Sequence, residues 1–171
     1  MGEKLTFIHA ADLHIGAPIR GLRGLSDEWE RRLIDAIPAA WERVVETAIS
    51  RRVDFVIVAG DIFDSVRASY GDYVRFFAGL QRLDAEGICT YLCTGNHDPQ
   101  SVWQKDFFAL PPSATMLAAD RPDFALFERE GKPVAIIAGR GYPNKVWSSR
   151  ENIAAGLTRQ AALSALGSGA E

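Results

Sequence analysis

Histidine is scarce in this chain: three in 171 residues, at positions 9, 14 and 97. Any metal chemistry must therefore lean on oxygen donors or on a very small imidazole set. Cysteine is scarcer still, and Cys89 and Cys93 share one apolar run without a zinc-type spacing. Nothing in that pattern suggests a disulfide framework, and it favours buried free thiols. No apolar stretch is long enough to span a bilayer. Met1-Gly2-Glu3-Lys4 leads into a short strand pattern, not into the apolar segment of a secretory leader. The expectation is a cytoplasmic protein without a membrane association. Charge of one sign is also lacking: a net charge of −3 argues against holding nucleic acid by bulk electrostatics. It leaves room for an enzyme that meets phosphate through metal ions and a few arginines. There is no internal repeat, low-complexity tract or interdomain linker.

What is present is an ordinary globular composition, 47% hydrophobic and 24% charged, sufficient for the core of a single domain. The chain is organised around Phe55-Val56-Ile57-Val58-Ala59-Gly60-Asp61-Ile62-Phe63-Asp64. A continuous β-branched run reads as a buried strand of a parallel sheet. It delivers the backbone to Gly60 and then to Asp61 and Asp64. A carboxylate at the end of a buried strand is costly unless a cation or hydrogen bonds hold it. The carboxyl edge of an open α/β sheet is where such ligands gather. One Gly-Asp step alone reads more readily as the cap of a following turn; two comparable strand ends reverse that preference.

The first of these is Leu5 to Ala11, ending in Asp12-Leu13-His14. In an extended segment residues two apart share a side, so Asp12 and His14 are expected to converge as a carboxylate–imidazole ligand pair. An isolated Asp-x-His is more often a turn with a satisfied histidine. His9, inside the strand, is expected in the core or behind the ligands. The second is Ile88 to Thr94, ending in Gly95-Asn96-His97-Asp98-Pro99. Between the strands lie helical patterns. Ser26 is expected to cap a helix with Trp29, Leu33 and Ile37 on its apolar face. Pro38 interrupts that helix and suits the start of another, whose stripe is Trp41, Val44, Val45, Ala48 and Ile49. A further helix from Ser69 to Glu86 should bury Val74, Phe77, Leu80 and Leu83, with Gly87 beyond its end. The alternation of strand and helix implies parallel neighbours with right-handed crossovers, and so three strand ends on one edge.

Further on, Trp103 to Leu110 reads as a short helix. Thr115–Leu117, Phe124–Phe127 and Val134–Ala138 read as strands, with Glu130-Gly131-Lys132 as a hairpin turn. Ser148 and Glu151 resemble a capping box opening a last helix through Leu166. Gly16 to Leu25 is a glycine-rich loop carrying Arg20 and Arg23, which either contact phosphates beside the cleft or are solvated.

Asp12-x-His14, Gly60-Asp61-x-x-Asp64 and Gly95-Asn96-His97-Asp98, in that order and each after a strand, resemble the calcineurin-like metallophosphoesterases. Phe7 to Gly16 and Ala59 to Asp64 look further like the SbcD-type DNA repair exonuclease branch. Gly139-Arg140-Gly141-Tyr142 and Glu151-Asn152 look like a stretch of one bacterial subgroup. The resemblance implies an α/β fold, a parallel or mixed sheet flanked by helices, as in the first half of a four-layer αββα sandwich. It implies a single domain over 1–171 that is incomplete at its C-terminal end, because the family's later histidines have no counterpart here. By resemblance Asp12 and His14 bind one metal, Asp61 bridges two, and Asn96 binds the second. His97 is the catalytic histidine, Asp98 orients it and Asp64 supports the ligands from behind. The cofactors are two divalent ions, Mn²⁺ foremost, with Mg²⁺, Fe²⁺ and Zn²⁺ alternatives. The activity is phosphodiester hydrolysis, foremost as a DNA exonuclease working beside an SMC-like ATPase, with a homodimer left open. Alternatives are a small-substrate phosphatase or phosphodiesterase and an inactive interaction fragment.

Overall fold

A computed structural model of the chain describes residues 4–17, 26–64, 68–103, 109–148 and 150–167. Four parallel strands form the main sheet in the order β1 (Phe7–Ala10), β2 (Phe55–Ala59), β3 (Cys89–Cys93) and β4 (Ala114–Met116). The first two crossovers are helices α1 (Asp27–Arg51) and α2 (Tyr70–Ala85). A separate antiparallel pair follows, β5 (Asp123–Arg129) and β6 (Lys132–Gly139), and then α3 (Arg159–Leu166) packs against β5. The expected parallel sheet flanked by helices is thus present.

Strand alternation splits the core in two. Val56, Val58 and Leu92 face the helices, where Trp41, Val45, Phe76, Leu80 and Leu83 are fully buried with them. Phe55 and Tyr91 point the other way, onto Phe127 and Ile137 of the hairpin and Leu117. Phe55 centres that second cluster, its ring 5.1 Å from both Phe7 and Phe127. The hairpin reverses at Glu130-Gly131, where both residues have positive φ, 53° and 73°. That is the twist a two-residue turn needs to match the strands.

Several expectations yield to the structure. Helix α1 runs unbroken through Pro38. Proline removes one backbone donor, and the packing of Ile37, Trp41 and Val44 on the core compensates for it. Trp29 is exposed, as is Val74; in α2 the buried face is Tyr73, Phe76, Phe77, Leu80 and Leu83. Ser69 and Asp72 cap α2 reciprocally, and Gly87 follows its end with φ 69°. His9 lies exposed on edge strand β1, not in the core. Ser148 and Glu151 form a turn instead of opening a helix: Asn152 accepts from the Ala154 N–H, and α3 starts only after Gly156, capped by Thr158. Gln100–Val102 is a 3₁₀ turn, while most of the helix expected over Trp103 to Leu110 lies outside the described residues. No described helix is long and apolar enough to cross a membrane.

Asp54 ties the amino ends of the layers together. Its carboxylate accepts from the Thr6 N–H at 2.7 Å and pairs with Arg129 at 2.6 Å. Burial alone would raise its pKa, but those two partners outweigh it and hold the carboxyl below its ordinary value. A depressed pKa stabilises the fold above the unfolded value and loses that stabilisation as pH falls through the folded one. Asp54→Asn should therefore lower stability by about 1 kcal/mol at neutral pH. The gap between the two proteins should close below about pH 4, measured by denaturant unfolding against pH.

Candidate metal centre

All four parallel strands release the chain at one edge, and three of those exits build the site. Beyond β1, the Asp12 N–H donates to the Gly60 carbonyl, the His14 N–H to the Asp61 carbonyl and the Ile15 N–H to the Ile62 carbonyl. The exits of β1 and β2 therefore run side by side, closing with the Asp64 N–H on the Ile15 carbonyl. Asp12, His14 and Asp61 reach their positions through left-handed backbone, φ 52°, 46° and 48°. The pair Asp12 and His14 is thus delivered by turns and not along an extended segment, since β1 ends at Ala10.

Asp61 stands at the centre. Its Oδ1 accepts from the backbone N–H of His97 at 2.8 Å, and its Oδ2 lies 3.8 Å from Nε2 of His14. Ring nitrogens of His14 and His97 and a carboxylate oxygen of Asp61 all fall within 4.8 Å of one another. The two imidazoles meet edge to face with centroids 4.7 Å apart. Asp61 also lines a cavity of about 290 Å³ with Asp12, Asn96, Arg140 and Tyr142. Asp61 therefore belongs to both groups of donors. One imidazole pair and one carboxylate suit a borderline divalent ion; two carboxylates and an amide oxygen suit a harder one.

Gly95 makes the approach possible. A Cβ there would collide with the Asp61 carboxylate and its backbone N–H, and one at Gly60 would press on Gly95 at 3.3 Å. Asp98 is buried, and both its oxygens are engaged by backbone: Gly95 N–H on Oδ1, and Ile62 and Phe63 N–H on Oδ2, at 2.8, 3.0 and 3.3 Å. Burial pushes its pKa up to about 6; the three N–H groups pull it down, and the charge of Asp61 adds to the rise. Burial also raises Cys93, on the cavity wall, to about 11, so it remains a thiol at neutral pH.

The structure thus brings together Asp12, His14, Asp61, Asn96 and His97, with Asp98 behind them. Asp64 sits at the base of the β1–β2 exits. Arg20 and Arg23 lie outside the described residues. Arg140 and Tyr142 had no assigned role from sequence, although an arginine between two glycines directly after an apolar strand was the available signal.

The family model for calcineurin-like phosphoesterases matches residues 5–154. The chain belongs to that family. It is 32% identical over 143 residues to YhaO, a metallophosphoesterase of Bacillus subtilis, covering 83% of this chain and 35% of YhaO. The DNA double-strand break repair protein Mre11 of Aeropyrum pernix is 36% identical over 103 residues, 60% of this chain and 23% of Mre11. The SbcD component of the nuclease SbcCD of Escherichia coli K12 is 29% identical over 138 residues, 78% and 32% of the two chains. The chain spans about a third or less of the length of these relatives.

Gly95→Ala should displace the Asp61 carboxylate and weaken divalent-ion binding at least tenfold in a Mn²⁺ titration. Gly71→Ala in α2, where a Cβ would meet only Ser69 Oγ at 3.6 Å, should leave it unchanged. Equal affinity in both variants would show that the Gly95 approach does not control the site.

Proposed function

We propose that this chain carries the ligand edge of a metal-dependent phosphodiester hydrolase acting on DNA. The observation that carries the proposal is the double membership of Asp61. It clusters with His14 and His97 and also lines the cavity with Asp12 and Asn96. One carboxylate common to two donor groups fits a residue shared by two ions. In this reading Asp12 and His14 hold the first ion and Asn96 the second. Bound divalent ions, Mn²⁺ foremost, would supply Lewis-acid stabilisation of phosphoryl oxygens and an activated water. His97 would donate a proton to the leaving oxygen. Asp98 would orient His97 through the backbone of the 95–98 turn it clasps, and Asp64 would brace the β1–β2 exits. DNA as substrate is supported by the likeness to the DNA double-strand break repair protein Mre11 and to a subunit of the nuclease SbcCD; an exonuclease mode, an SMC-like ATPase partner and a cytoplasmic setting belong to the same proposal.

The proximity of His97 to His14 and Asp61 also favours a second role for it, as a ligand. Metal stoichiometry separates the two. Asp61→Ala should abolish Mn²⁺ binding, Asn96→Ala should remove one ion preferentially, and His97→Ala should retain nearly all. If His97→Ala strips metal as fully as Asp61→Ala, His97 is a ligand. With only three histidines, this chain alone should cleave DNA or a small phosphomonoester poorly. Robust turnover abolished by Asp61→Asn would contradict that. In any form that turns over, His97→Ala should slow it roughly 10²–10⁴-fold.

Arg20 and Arg23 are proposed phosphate contacts on their closeness in sequence to Asp12 and His14. Replacing both should flatten the salt dependence of DNA binding, by a slope of about 0.9 for each lost contact. An unchanged slope would assign them to solvent.

A further inference from the structure

We propose that Arg140 is a substrate-positioning residue, binding a non-bridging oxygen of the phosphate group held in the cavity beside Asp61. The inference rests on the metal-dependent reading above. Arg140 leaves β6 at the cavity that Asp12, Asp61 and Asn96 line from the other exits. Its guanidinium is fixed from behind. Nε donates to the Ala119 carbonyl at 3.3 Å, Nη2 donates to the Asp120 carbonyl at 2.8 Å, and the guanidinium carbon lies 4.6 Å from the centre of the Trp147 ring. Trp147 is in turn held by Tyr142, edge to face at 5.9 Å, and by its own N–H on the Glu151 carbonyl.

None of these partners carries a charge. Among the described residues no carboxylate pairs with Arg140, although Asp12 and Asp61 share its cavity. Guanidinium has five N–H donors, and the two carbonyls take the one on Nε and one on Nη2, leaving two on Nη1 and one on Nη2 for further acceptors. A pre-oriented arginine with no carboxylate partner among the described residues, lining one cavity with Asp12, Asp61 and Asn96, suits an anion that fills the space between them. Phosphate fits, because guanidinium binds two of its oxygens in a planar fork. The position itself is enforced by close packing. A Cβ at Gly141 would collide with Thr94 Oγ1, and Thr94 binds the next residue twice, accepting from the Tyr142 N–H at 3.0 Å and donating to its carbonyl at 2.9 Å. The exit of β6 is thereby locked against the exit of β3.

The test uses the 171-residue protein, Mn²⁺ and inorganic phosphate. Mn²⁺ stoichiometry is measured first, then phosphate affinity by calorimetry and by tryptophan emission. Arg140→Ala should keep the Mn²⁺ content of the parent and bind phosphate at least tenfold more weakly. Arg140→Lys should recover part of the loss, having the charge without the fork. In the parent, phosphate should change the tryptophan emission, and Trp147→Phe should remove that change. If the alanine variant fails to melt cooperatively, the lysine variant and the emission change decide. Phosphate affinity unaltered in Arg140→Lys and Arg140→Ala at full Mn²⁺ loading overturns the role of Arg140 alone. Absence of saturable phosphate binding by the Mn²⁺-loaded parent does the same. Absence of Mn²⁺ binding by the parent overturns the metal reading, and this inference with it.

Discussion

The site depends on a buried carboxylate clasped by backbone. Asp98 accepts from Ile62 and Phe63 beyond β2 and from Gly95 beyond β3. Those N–H groups lie where strand pairing has ended, so without Asp98 they would be buried donors lacking a strand partner. The clasp sets the exits of β2 and β3 so close that Gly95 lies on the Asp61 carboxylate. It also brings the His97 N–H to Asp61 Oδ1. Behind the clasp, Trp103 donates its indole N–H to the Asp98 carbonyl and packs its ring on Phe63. Phe63 is fully buried against Tyr73 and Phe76 of α2. Hydrophobic burial under α2 therefore steadies a polar turn at the sheet edge. A carboxylate in this setting balances desolvation against three donors, and its raised pKa shows that burial is the larger influence.

Strain is concentrated where the chemistry is. Among the described residues, three of the five non-glycine residues with positive φ are Asp12, His14 and Asp61. Left-handed backbone costs roughly 1–2 kcal/mol per residue, and Asp and His tolerate it better than branched residues do. The interleaved hydrogen bonds between residues 12–15 and 60–64 hold these conformations in place. Such strain turns side chains toward a common point that extended strands, pointing alternately to opposite faces, would not all reach.

Much of the architecture is legible in the sequence because it is written in local patterns. The β-branched run at Phe55–Ala59, the apolar segments around it and the three strand-end motifs are short-range signals, and they predict a parallel sheet with one functional edge. What escapes a reading of the sequence depends on contacts distant along the chain. The turns at Asp12 and His14 follow from pairing with residues 60–62, and the engagement of Asp98 with Ile62 spans 36 positions. The buried face of α2 takes Tyr73 in place of Val74, because Tyr73 finds a stacking partner in Phe63 that periodicity does not reveal. The passage of α1 through Pro38 has the same character: tertiary packing overrides a local breaker.

Size alone would point to the wrong hollow. A larger cavity of about 490 Å³ lies at the amino edge of the sheet, lined by Arg52, Asp54, Glu86, Cys89, Arg129 and Glu130 among others. Its central charges are already matched, Arg129 with Asp54 at 2.6 Å, and burial raises the pKa of its thiol, Cys89. Its charge is spent on joining β1, β2 and β5, so it reads as a seam between layers. The smaller hollow has the opposite character: Asp12, Asp61, Asn96 and Arg140 all line it, and among the described residues neither carboxylate pairs with the arginine. In a parallel sheet every strand delivers its carboxyl end to the same edge, so unpaired groups accumulate there by topology. The hairpin adds to this from the second layer. Tyr91 packs among Phe55, Phe127 and Ile137, and β6 then releases Arg140 beside Thr94. Unmatched polarity at the convergent edge, and not volume, is what distinguishes a site from a seam in this fold.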